Sequence, residues 1–545
     1  MRRVITGRRL RSTRIPVMIT IRRAVGVGAA ACLISIGFAA PASALAPTPT
    51  PTPTMAERFV DGYLDGIRAD PSRLRNFFYA MPKGGDLHNH LSGAASTELL
   101  LQLAVQDGLC IDSTDKAAPS PCPVGARPAA DTVTDQAFHD QVIRAWSMKD
   151  FIEGTESGHD HFFNAFGKFG EATWRHPGTL LAQVADTAAK QHQSYLETML
   201  TPASAKAAAL AAKVGFDPDF AAMRDRLMAD GALDDVVASA RRDADAAMAE
   251  YQAVDKCGTP AAAPGCSLTI RFISQVSRAS DSARVFTQML VGMRLASVDP
   301  RFVAINLVQP EDAPPSLQNY TLQMRMLDYL HPLYPKAHIT LHAGELTPDL
   351  VSPANLAFHI RQAVELGHAE RIGHGVDVAG ENSSSRLLHE LAARNIPIEV
   401  PLTSNEQILK VSGYTHPLPL YLANSVPIVL ATDDPGVSRI DITGEYQKAA
   451  TTYRLHYRQL KELARNSLNY AFLPGRSLWA GPDRTLPVKA CRSFFIANYA
   501  MPSCRAFLAA NPKAALEAEQ EESFAAFETT VLTGRLPTAQ RYRTF

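Results

Sequence analysis

The apolar positions of this chain include eight short runs, rich in β-branched and aromatic residues, between residues 86 and 435. Near-continuous apolar runs of this length are typical of strands buried on both faces. Most of them are separated by stretches with helical character, such as 281–297 and 384–394. Eight such units predict an α/β protein, a (β/α)8 TIM-type barrel. The predicted strands are DLHNHL (86–91), SYLETML (194–200), LTIRFISQV (268–276), RFVAINLVQ (301–309), HITLHAGE (338–345), ERIGHG (370–375), IPIEVPLTSN (396–405) and VPIVLATDDP (426–435).

The remaining stretches predict helices and insertions around that barrel. Residues 55–80 are helical in pattern, and residues 203–250 are rich in Ala with interspersed charges, which also favours helices. We expect the barrel domain to span 55–475, with insertions at about 110–130 and 203–266. Residues 476–545 are predicted to be a helical C-terminal extension of the same domain.

The first 54 residues have the composition of a targeting segment and a linker. An arginine-rich stretch precedes a 17-residue apolar run at 24–40, and Ala-Ser-Ala at 42–44 offers a small-residue cleavage site. This order predicts a signal peptide over 1–44 and export to the periplasm or the medium. The apolar run is short for a membrane span, so no stable membrane anchor is expected. The Pro/Thr repeat at 45–54 predicts an extended linker.

The cysteines fit an oxidising compartment. Six remain after the predicted cleavage, and none has the C-x-x-C spacing of a thiolate metal site. Six cysteines allow 15 pairings. Proximity along the chain favours three local disulfides, namely Cys110–Cys122, Cys257–Cys266 and Cys491–Cys504.

Charge narrows the choice of partner. The whole chain is formally neutral, but its first 44 residues hold eight arginines and no other charge. The predicted mature protein keeps 46 basic and 54 acidic residues. A mildly acidic protein is not expected to bind nucleic acid or an anionic membrane. The sequence does not fix the oligomeric state, and a dimer is possible.

Polar residues of metal-binding type cluster at the predicted carboxyl ends of the strands, where barrel enzymes place their sites. His88 and His90 end the first strand, His342 the fifth and Asp433 the eighth. Residues at i and i+2 share one face of a strand, so His88 and His90 can contact one ion. Three imidazoles and one carboxylate suit Zn²⁺ with a position left for water. The sequence therefore predicts one Zn²⁺ per chain.

The stretches MPKGGDLHNHLSGA (81–94), LHAGE (341–345), RIGHGVD (371–377), PLTSN (401–405) and ATDDPGV (431–437) resemble the adenosine deaminase family of the metal-dependent amidohydrolases. The lead-in MPKG and the predicted signal are most similar to exported members. The resemblance implies hydrolysis of adenosine, and of 2′-deoxyadenosine, to the inosine product and ammonia. It implies that Glu345 protonates the purine ring, that His374 orients the attacking water, and that Asp434 contacts the purine.

Two departures from the family pattern concern the substrate. Members commonly carry Asp at the position of Ser92, near the ribose, and Gly at the position of Gln309, near the purine. We expect both residues to line the substrate pocket. Three functions therefore stay open: an adenosine deaminase, an amidohydrolase acting on another 6-aminopurine such as a 5′-modified adenosine or free adenine, and a binding or signalling protein on a retained barrel. HELAA at 389–393 lacks the second histidine of a zinc-protease motif, and GHDHFF at 158–163 is better explained as pocket wall or packing.

Overall fold

The computed structural model describes residues 53–481, 486–492 and 501–536. The predicted signal peptide at 1–44 and most of the predicted linker at 45–54 lie outside these ranges. No helix in the described part of the chain combines the length and the apolar character that crossing a membrane requires.

Eight strands form one sheet in which every neighbouring pair is parallel and the order along the sheet follows the chain. The sheet closes between its first and last strands: Asn89 and Asp433 form a parallel bridge, and the Asp433 N–H donates to the His88 carbonyl at 2.9 Å. The predicted (β/α)8 barrel is therefore confirmed. Its strands are β1 Gly84–His90, β2 Gln193–Leu200, β3 Thr269–Ser277, β4 Phe302–Val308, β5 His338–Ala343, β6 Arg371–His374, β7 Ile398–Val400 and β8 Ile428–Leu430.

The seventh predicted strand was too long. Residues 396–405 were predicted as one strand, but β7 ends at Val400 and residues 402–405 open the helix Leu402–Leu409. Pro401 stands between them and has no N–H to continue the strand ladder. The end of the apolar run therefore turns back over the barrel mouth as a helix.

Helices follow the strands and fill the insertions. Those in the described residues are α1 Met55–Ile67, α2 Pro71–Ala80, α3 Leu91–Ala94, α4 Thr97–Gln106, α5 Gln136–Ala145, α6 Gly158–Thr173, α7 Pro177–Lys190, α8 Ser204–Val214, α9 Phe220–Met228, α10 Ala232–Val254, α11 Ser282–Val298, α12 Pro314–Leu330, α13 His359–Glu365, α14 Ser384–Ala393, α15 Leu402–Leu409, α16 Leu418–Ala423, α17 Pro435–Ser438, α18 Ile442–Thr452, α19 Tyr457–Asn469, α20 Pro502–Ala510 and α21 Pro512–Leu532. Helices α8 to α10 agree with the prediction for 203–250. One hydrophobic core runs between the barrel and these helices.

The predicted insertion at 110–130 holds a small antiparallel sheet of its own. Cys110–Ile111 is its central strand, flanked by Ala117–Ala118 and Arg127–Pro128. The structure contains all three predicted disulfides, one of them in this insertion: Cys110–Cys122, Cys257–Cys266 and Cys491–Cys504.

A buried ionic network occupies the barrel interior below the strand ends. The Arg371 guanidinium donates to Glu197 at 2.6 Å and to Glu399 at 2.5 Å, and all three side chains are almost fully buried. It also donates to the Leu87 and Tyr470 carbonyls. Removing any one of these three side chains would leave a buried charge without its full complement of partners. The network therefore fixes the relative positions of β2, β6 and β7, which carry them.

Candidate metal centre and active site

The barrel brings the four predicted metal ligands into contact. His88 Nε2 lies 3.1 Å from His342 Nε2, and His90 Nε2 lies 3.3 Å from the same atom. Asp433 Oδ1 lies 3.4 Å from His88 Nε2 and 3.2 Å from His90 Nε2. All four side chains are buried. Residues separated by more than 300 positions therefore direct four donor atoms at one point.

These separations fit a small ion. Ligands at about 2.0–2.1 Å from a tetrahedral Zn²⁺ are roughly 3.3–3.4 Å from each other. The four measured separations, 3.1 to 3.4 Å, lie close to that edge length. Two overlapping groups of donor atoms could hold a metal: one of His88, His342, His374 and Asp433, and one of His90, Asp433 and Asp434. His374 Nε2 is 3.9 Å from Asp433 Oδ2. The donor set and its geometry therefore fit a metal ion.

Each histidine of the centre has a partner at its other ring nitrogen. Partners of this kind hold the ring in place and select its tautomer. The Nδ1 contacts are His88 to Glu399 Oε2 at 2.7 Å, His90 to the Gln275 amide at 2.8 Å, His342 to Asn306 Oδ1 at 2.9 Å and His374 to the Asn405 amide at 2.9 Å.

Carboxylates dominate the electrostatics of the centre. Burial lowers the pKa of His88, but its hydrogen bonds with Asp433 and Glu399 outweigh burial and raise that pKa to about 10. Burial raises the pKa of Asp433, yet its hydrogen bonds with His88 and His90 hold that pKa well below the usual range. The carboxylates therefore favour positive charge at His88, whereas burial lowers the pKa of His90 and holds that of His342 well below its usual range.

Local backbone conformation aims two of the side chains. His374 and Asp433 have φ values of 67° and 59°, in the left-handed region that only a minority of non-glycine residues occupy. Such conformations cluster at functional sites, where the surrounding structure imposes them. Gly373 leaves room for the first histidine, because a Cβ at Gly373 would lie 2.7 Å from His88 Cε1.

A cavity of about 1180 Å³, open to solvent, lies above the centre. His90, His342 and Asp433 form its floor, and the predicted catalytic residues Glu345, His374 and Asp434 line it as well. The two predicted substrate-binding residues, Ser92 and Gln309, are also in its lining, as are Phe162, Phe163 and Phe166 of α6. The interpretation of GHDHFF as pocket wall therefore agrees with the structure.

The two carboxyls beside the ligands differ from ordinary surface acids. Burial raises the pKa of Glu345. Burial and the neighbouring Asp433 raise the pKa of Asp434 well above its usual range. A carboxyl whose pKa is raised can hold a proton near neutral pH and deliver it.

A buried carboxylate that the sequence analysis missed positions the loop of Glu345. Glu311 accepts the Gly344 N–H at 3.1 Å and the Glu345 N–H at 2.9 Å, and His359 Nδ1 lies 2.6 Å from it. Arg278, also fully buried, lies within 4.0 Å. The backbone at Glu345 is thus fixed from the loop after β4.

Gln309 has a backbone conformation that glycine adopts more readily than other residues. Its φ is 83°, a value that L residues seldom adopt, and its side-chain oxygen accepts the Ala279 N–H at 3.1 Å. The side chain is therefore anchored to the loop after β3.

The fold and the site together define a class: a closed parallel barrel whose strand ends carry a three-histidine, one-carboxylate centre is a metal-dependent amidohydrolase. The family model described as adenosine deaminase matches residues 179–478, more than half of the chain, so the chain belongs to the adenosine deaminase family.

Individual relatives match over a shorter stretch. The adenosine deaminase of Escherichia coli (strain SMS-3-5 / SECEC) is 41% identical over 137 residues, which is 25% of this chain and 38% of the relative. The adenosine deaminase of Edwardsiella ictaluri (strain 93-146) is 42% identical over 138 residues, with the same coverage. The chain thus spans little more than a third of the length of these curated relatives.

Solved structures show a more distant likeness. Arabidopsis ADAL complexed with IMP has a TM-score of 0.48 and 20% identity, covering 72% of this chain and 93% of that one. A Burkholderia amidohydrolase with bound Zn has a TM-score of 0.47 and 17% identity, covering 84% of this chain and 94% of that one. The activity of this chain therefore has to be argued from its own site.

Proposed function

We propose that this protein is an exported hydrolytic deaminase that converts adenosine and 2′-deoxyadenosine to the corresponding inosines with release of ammonia. One observation carries the proposal: the metal-ligand set, Glu345 and Asp434 open into the same cavity. Hydrolytic deamination needs an oxygen nucleophile, a proton for the ring and a proton for the leaving amine, and these groups meet that need in one place.

His88, His90, His342 and Asp433 would hold one Zn²⁺. A Zn²⁺ in that position acidifies a coordinated water, so that an oxygen nucleophile is available near neutral pH. The choice of zinc rests on the donor set, because imidazole and carboxylate ligands in tetrahedral geometry suit it.

The neighbouring side chains would hold and move protons. Glu345, which burial keeps easier to protonate, donates to the purine nitrogen next to the carbon that bears the amino group. Negative charge then does not accumulate on the ring during attack. Asp434 hydrogen-bonds the imidazole-ring nitrogen of the purine, and His374 steadies the attacking oxygen.

The lining of the cavity favours a nucleoside over a nucleotide. Phe162, Phe163 and Phe166 of α6 offer an apolar wall to a purine, and Ser92 and Gln309 offer polar groups at its edge. Among the described residues, the lining contains no Lys or Arg. A 5′-phosphate would therefore find no side-chain cation in this lining to pair with it.

Export is supported by the predicted signal peptide and by the three disulfides, which persist in oxidising compartments. The proposal thus places the enzyme in the periplasm or the medium, acting on nucleosides that occur there.

Ammonia release from a panel of substrates tests the function. The panel holds adenosine, 2′-deoxyadenosine, 5′-methylthioadenosine, AMP and adenine, each with the zinc-loaded protein. Glu345→Gln should lower kcat for adenosine by about 100-fold or more, because the ring loses its acid. Glu365→Gln, the same change on an exposed face of α13, is the matched control and should leave kcat unchanged.

Each outcome of the panel has a defined meaning. If only 5′-methylthioadenosine or adenine is turned over, the proposed deamination chemistry stands and the proposed substrate is wrong. Zinc bound at one per chain with no turnover of any member would reject the deaminase proposal and leave a binding protein on a retained barrel.

A further inference from the structure

A chain of three buried side chains leads away from the metal centre on the side of His374. His374 Nδ1 lies 2.9 Å from Asn405 Oδ1, and Asn405 Nδ2 lies 2.9 Å from His416 Nε2. His416 Nδ1 in turn accepts the Leu418 backbone N–H at 3.0 Å. The three side chains are all at most 2% exposed. We call Leu418 N–H, His416, Asn405 and His374 the relay.

The outer end of the relay determines where the proton of His416 lies. A backbone N–H is always a donor, so His416 Nδ1, which accepts from Leu418, carries no proton. The ring is then neutral, and its single proton is on Nε2. Burial also favours the neutral ring, since it lowers the pKa of His416 to about 3.

The proton on His416 Nε2 determines the orientation of Asn405. That N–H must donate, so the atom of Asn405 facing it must be the carbonyl oxygen. The oxygen and nitrogen of a side-chain amide are close in size, and their assignment follows from the hydrogen-bond network rather than from shape. The orientation assigned in the structure would place two N–H donors face to face at His416, so the amide must be turned over. Asn405 then presents its NH₂ to His374 Nδ1 across the second 2.9 Å contact.

We propose that the relay fixes His374 with its proton on Nε2, as a hydrogen-bond donor directed at the reacting centre. With Asn405 in that orientation, His374 Nδ1 accepts a hydrogen bond, so the ring N–H lies on Nε2. His374 Nε2 is buried, has no hydrogen-bond partner among the described residues and lies 3.9 Å from Asp433 Oδ2. Asn405 and His416 are positioning residues that act through His374.

The relay also separates His374 from the metal ligands. The Nδ1 atoms of His88 and His342 face acceptors, Glu399 and Asn306, which leaves a lone pair on Nε2 for an ion. His374 faces a donor and therefore directs an N–H, not a lone pair, at the centre. This opposite polarity rejects the alternative ligand set that contains His374.

The surroundings of His90 do not fix its tautomer, so its proton can lie on Nδ1 and leave the Nε2 lone pair for a metal ion. Its Nδ1 contacts the Gln275 amide, whose other end bonds the Thr201 hydroxyl at 3.0 Å. A hydroxyl can donate or accept, so Gln275 can present its oxygen to His90 Nδ1 without loss. A backbone N–H also fixes Asn306, which accepts from the His342 N–H at 3.0 Å, but there it directs the amide oxygen at the histidine, whereas the relay directs an NH₂ at His374.

In the proposed deamination, on which this role rests, His374 and the carboxyls of the cavity have different tasks. An Nε2–H beside the attacking oxygen stabilises the negative charge that develops on that oxygen. The same nitrogen cannot take up the proton of the attacking water, because it already carries one. His374 thus stabilises charge, and proton transfer falls to the carboxyls of the cavity.

Neutron diffraction from crystals of the zinc-loaded protein, exchanged into D₂O, tests the proposal directly because it locates the deuterium atoms. The relay requires deuterium on Nε2 of both His416 and His374, and the ND₂ group of Asn405 facing His374. Deuterium on His374 Nδ1, with or without a second deuterium on Nε2, would overturn it. This readout does not depend on whether the protein deaminates anything.

Two near-isosteric variants test the effect on catalysis. Asn405→Asp offers a carboxylate that accepts from His374 Nδ1–H, so it moves the proton to the wrong nitrogen. We expect kcat to fall about 10- to 100-fold with little change in KM, the range typical of groups that orient active-site histidines. Asn424→Asp, the same change on an exposed residue at the C-terminal end of α16, is the matched control and should leave kcat unchanged.

The relay and the deaminase function would be rejected by different results. Equal kcat in wild type and Asn405→Asp would overturn the relay while leaving deamination in place. Absence of turnover in the wild type would reject deamination, and the neutron map would still decide the tautomer of His374.

Discussion

At the scale of single residues, the chemistry of this site depends on what each imidazole touches at its outer nitrogen. Glu399 is the partner with the most connections. It lies 2.7 Å from His88 Nδ1, and its other oxygen accepts from Arg371 and from the Thr340 hydroxyl. Burial raises the pKa of Glu399, but Arg371 and His88 outweigh burial and lower it to about 2. Glu399 therefore stays a carboxylate and couples the metal centre to the interior network.

Replacing Glu399 by Gln should weaken metal binding and the fold together. We expect the affinity for zinc to fall about 10- to 100-fold, since outer partners of metal-binding histidines contribute that much. The free energy of unfolding should fall by about 2–4 kcal/mol, because Arg371 keeps only Glu197 as a full charge partner. Competition with a chromophoric chelator and urea unfolding measure the two quantities.

The control for that experiment is Glu370→Gln, which removes an exposed carboxylate at the N-terminal end of the barrel. It should change neither quantity measurably. An affinity for zinc that is the same in Glu399→Gln and wild type would contradict the role given to Glu399.

At the scale of elements, helix α6 covers the cavity and is tied at its N-terminal end to the loop after β4. His159 Nε2 lies 3.0 Å from Asp312 Oδ1, and the histidine is only 14% exposed. Burial lowers the pKa of His159, but Asp312 and Asp160 outweigh burial and raise that pKa to about 9 from 6.5. The ion pair thus links the apolar wall of the cavity to the strand that carries Asn306.

The stability that this pair supplies should depend on pH in one direction. Because the folded pKa is raised, the contribution is complete below about pH 6.5 and is lost as the pH rises through about 9. The difference in Tm between wild type and His159→Asn should therefore be larger near pH 6 than near pH 10. His139→Asn on α5 serves as a control for loss of a partly exposed histidine. A difference that stays constant over this range would show that the pair is not ionic.

The elements around the cavity also determine which purines enter. Because its described lining contains no Lys or Arg, kcat/KM for AMP should be lower than for adenosine by roughly 100-fold or more. Parallel initial-rate measurements on the two substrates check this. Comparable values for both would contradict the preference for a nucleoside that this lining predicts.

At the scale of the whole molecule, the barrel could be predicted because eight apolar runs alternate with helical stretches. That His88, His90, His342 and Asp433 come together could be predicted as well, because they stand at the carboxyl ends of those runs. Their partners could not. Glu399 is 311 positions from His88, and no local pattern connects them. A single polar residue inside an apolar strand, such as Asn306 or Glu399, was the only available signal, and it does not say which histidine is contacted.

The predicted domain limits of 55–475 and 476–545 stay predictions, although the structure shows how the two parts meet. Lys461 of α19 donates to Glu57 of α1 at 3.1 Å and to Glu528 of α21 at 2.7 Å. The N-terminal and C-terminal helices therefore share one buried ionic group beside the barrel.

The local disulfides should stabilise the molecule without affecting its chemistry. Cys257–Cys266 closes a short loop ahead of β3, at the opposite end of the barrel from the cavity. Replacing both cysteines by Ser should lower the free energy of unfolding by about 2–3 kcal/mol, the entropy of closing such a loop, and leave kcat unchanged. Urea unfolding and the ammonia assay check the two halves. A loss of kcat at unchanged stability would contradict this separation.

The central claim is that this barrel adds water to the amino-bearing carbon of a purine nucleoside. Its most direct test is to incubate the zinc-loaded protein with adenosine in ¹⁸O-labelled water and to measure the mass of the product by mass spectrometry. We expect inosine with one labelled oxygen on the ring carbon, and none from Glu345→Gln over the same time. Inosine without the label, or no inosine from a wild-type protein that holds one zinc per chain, would contradict it.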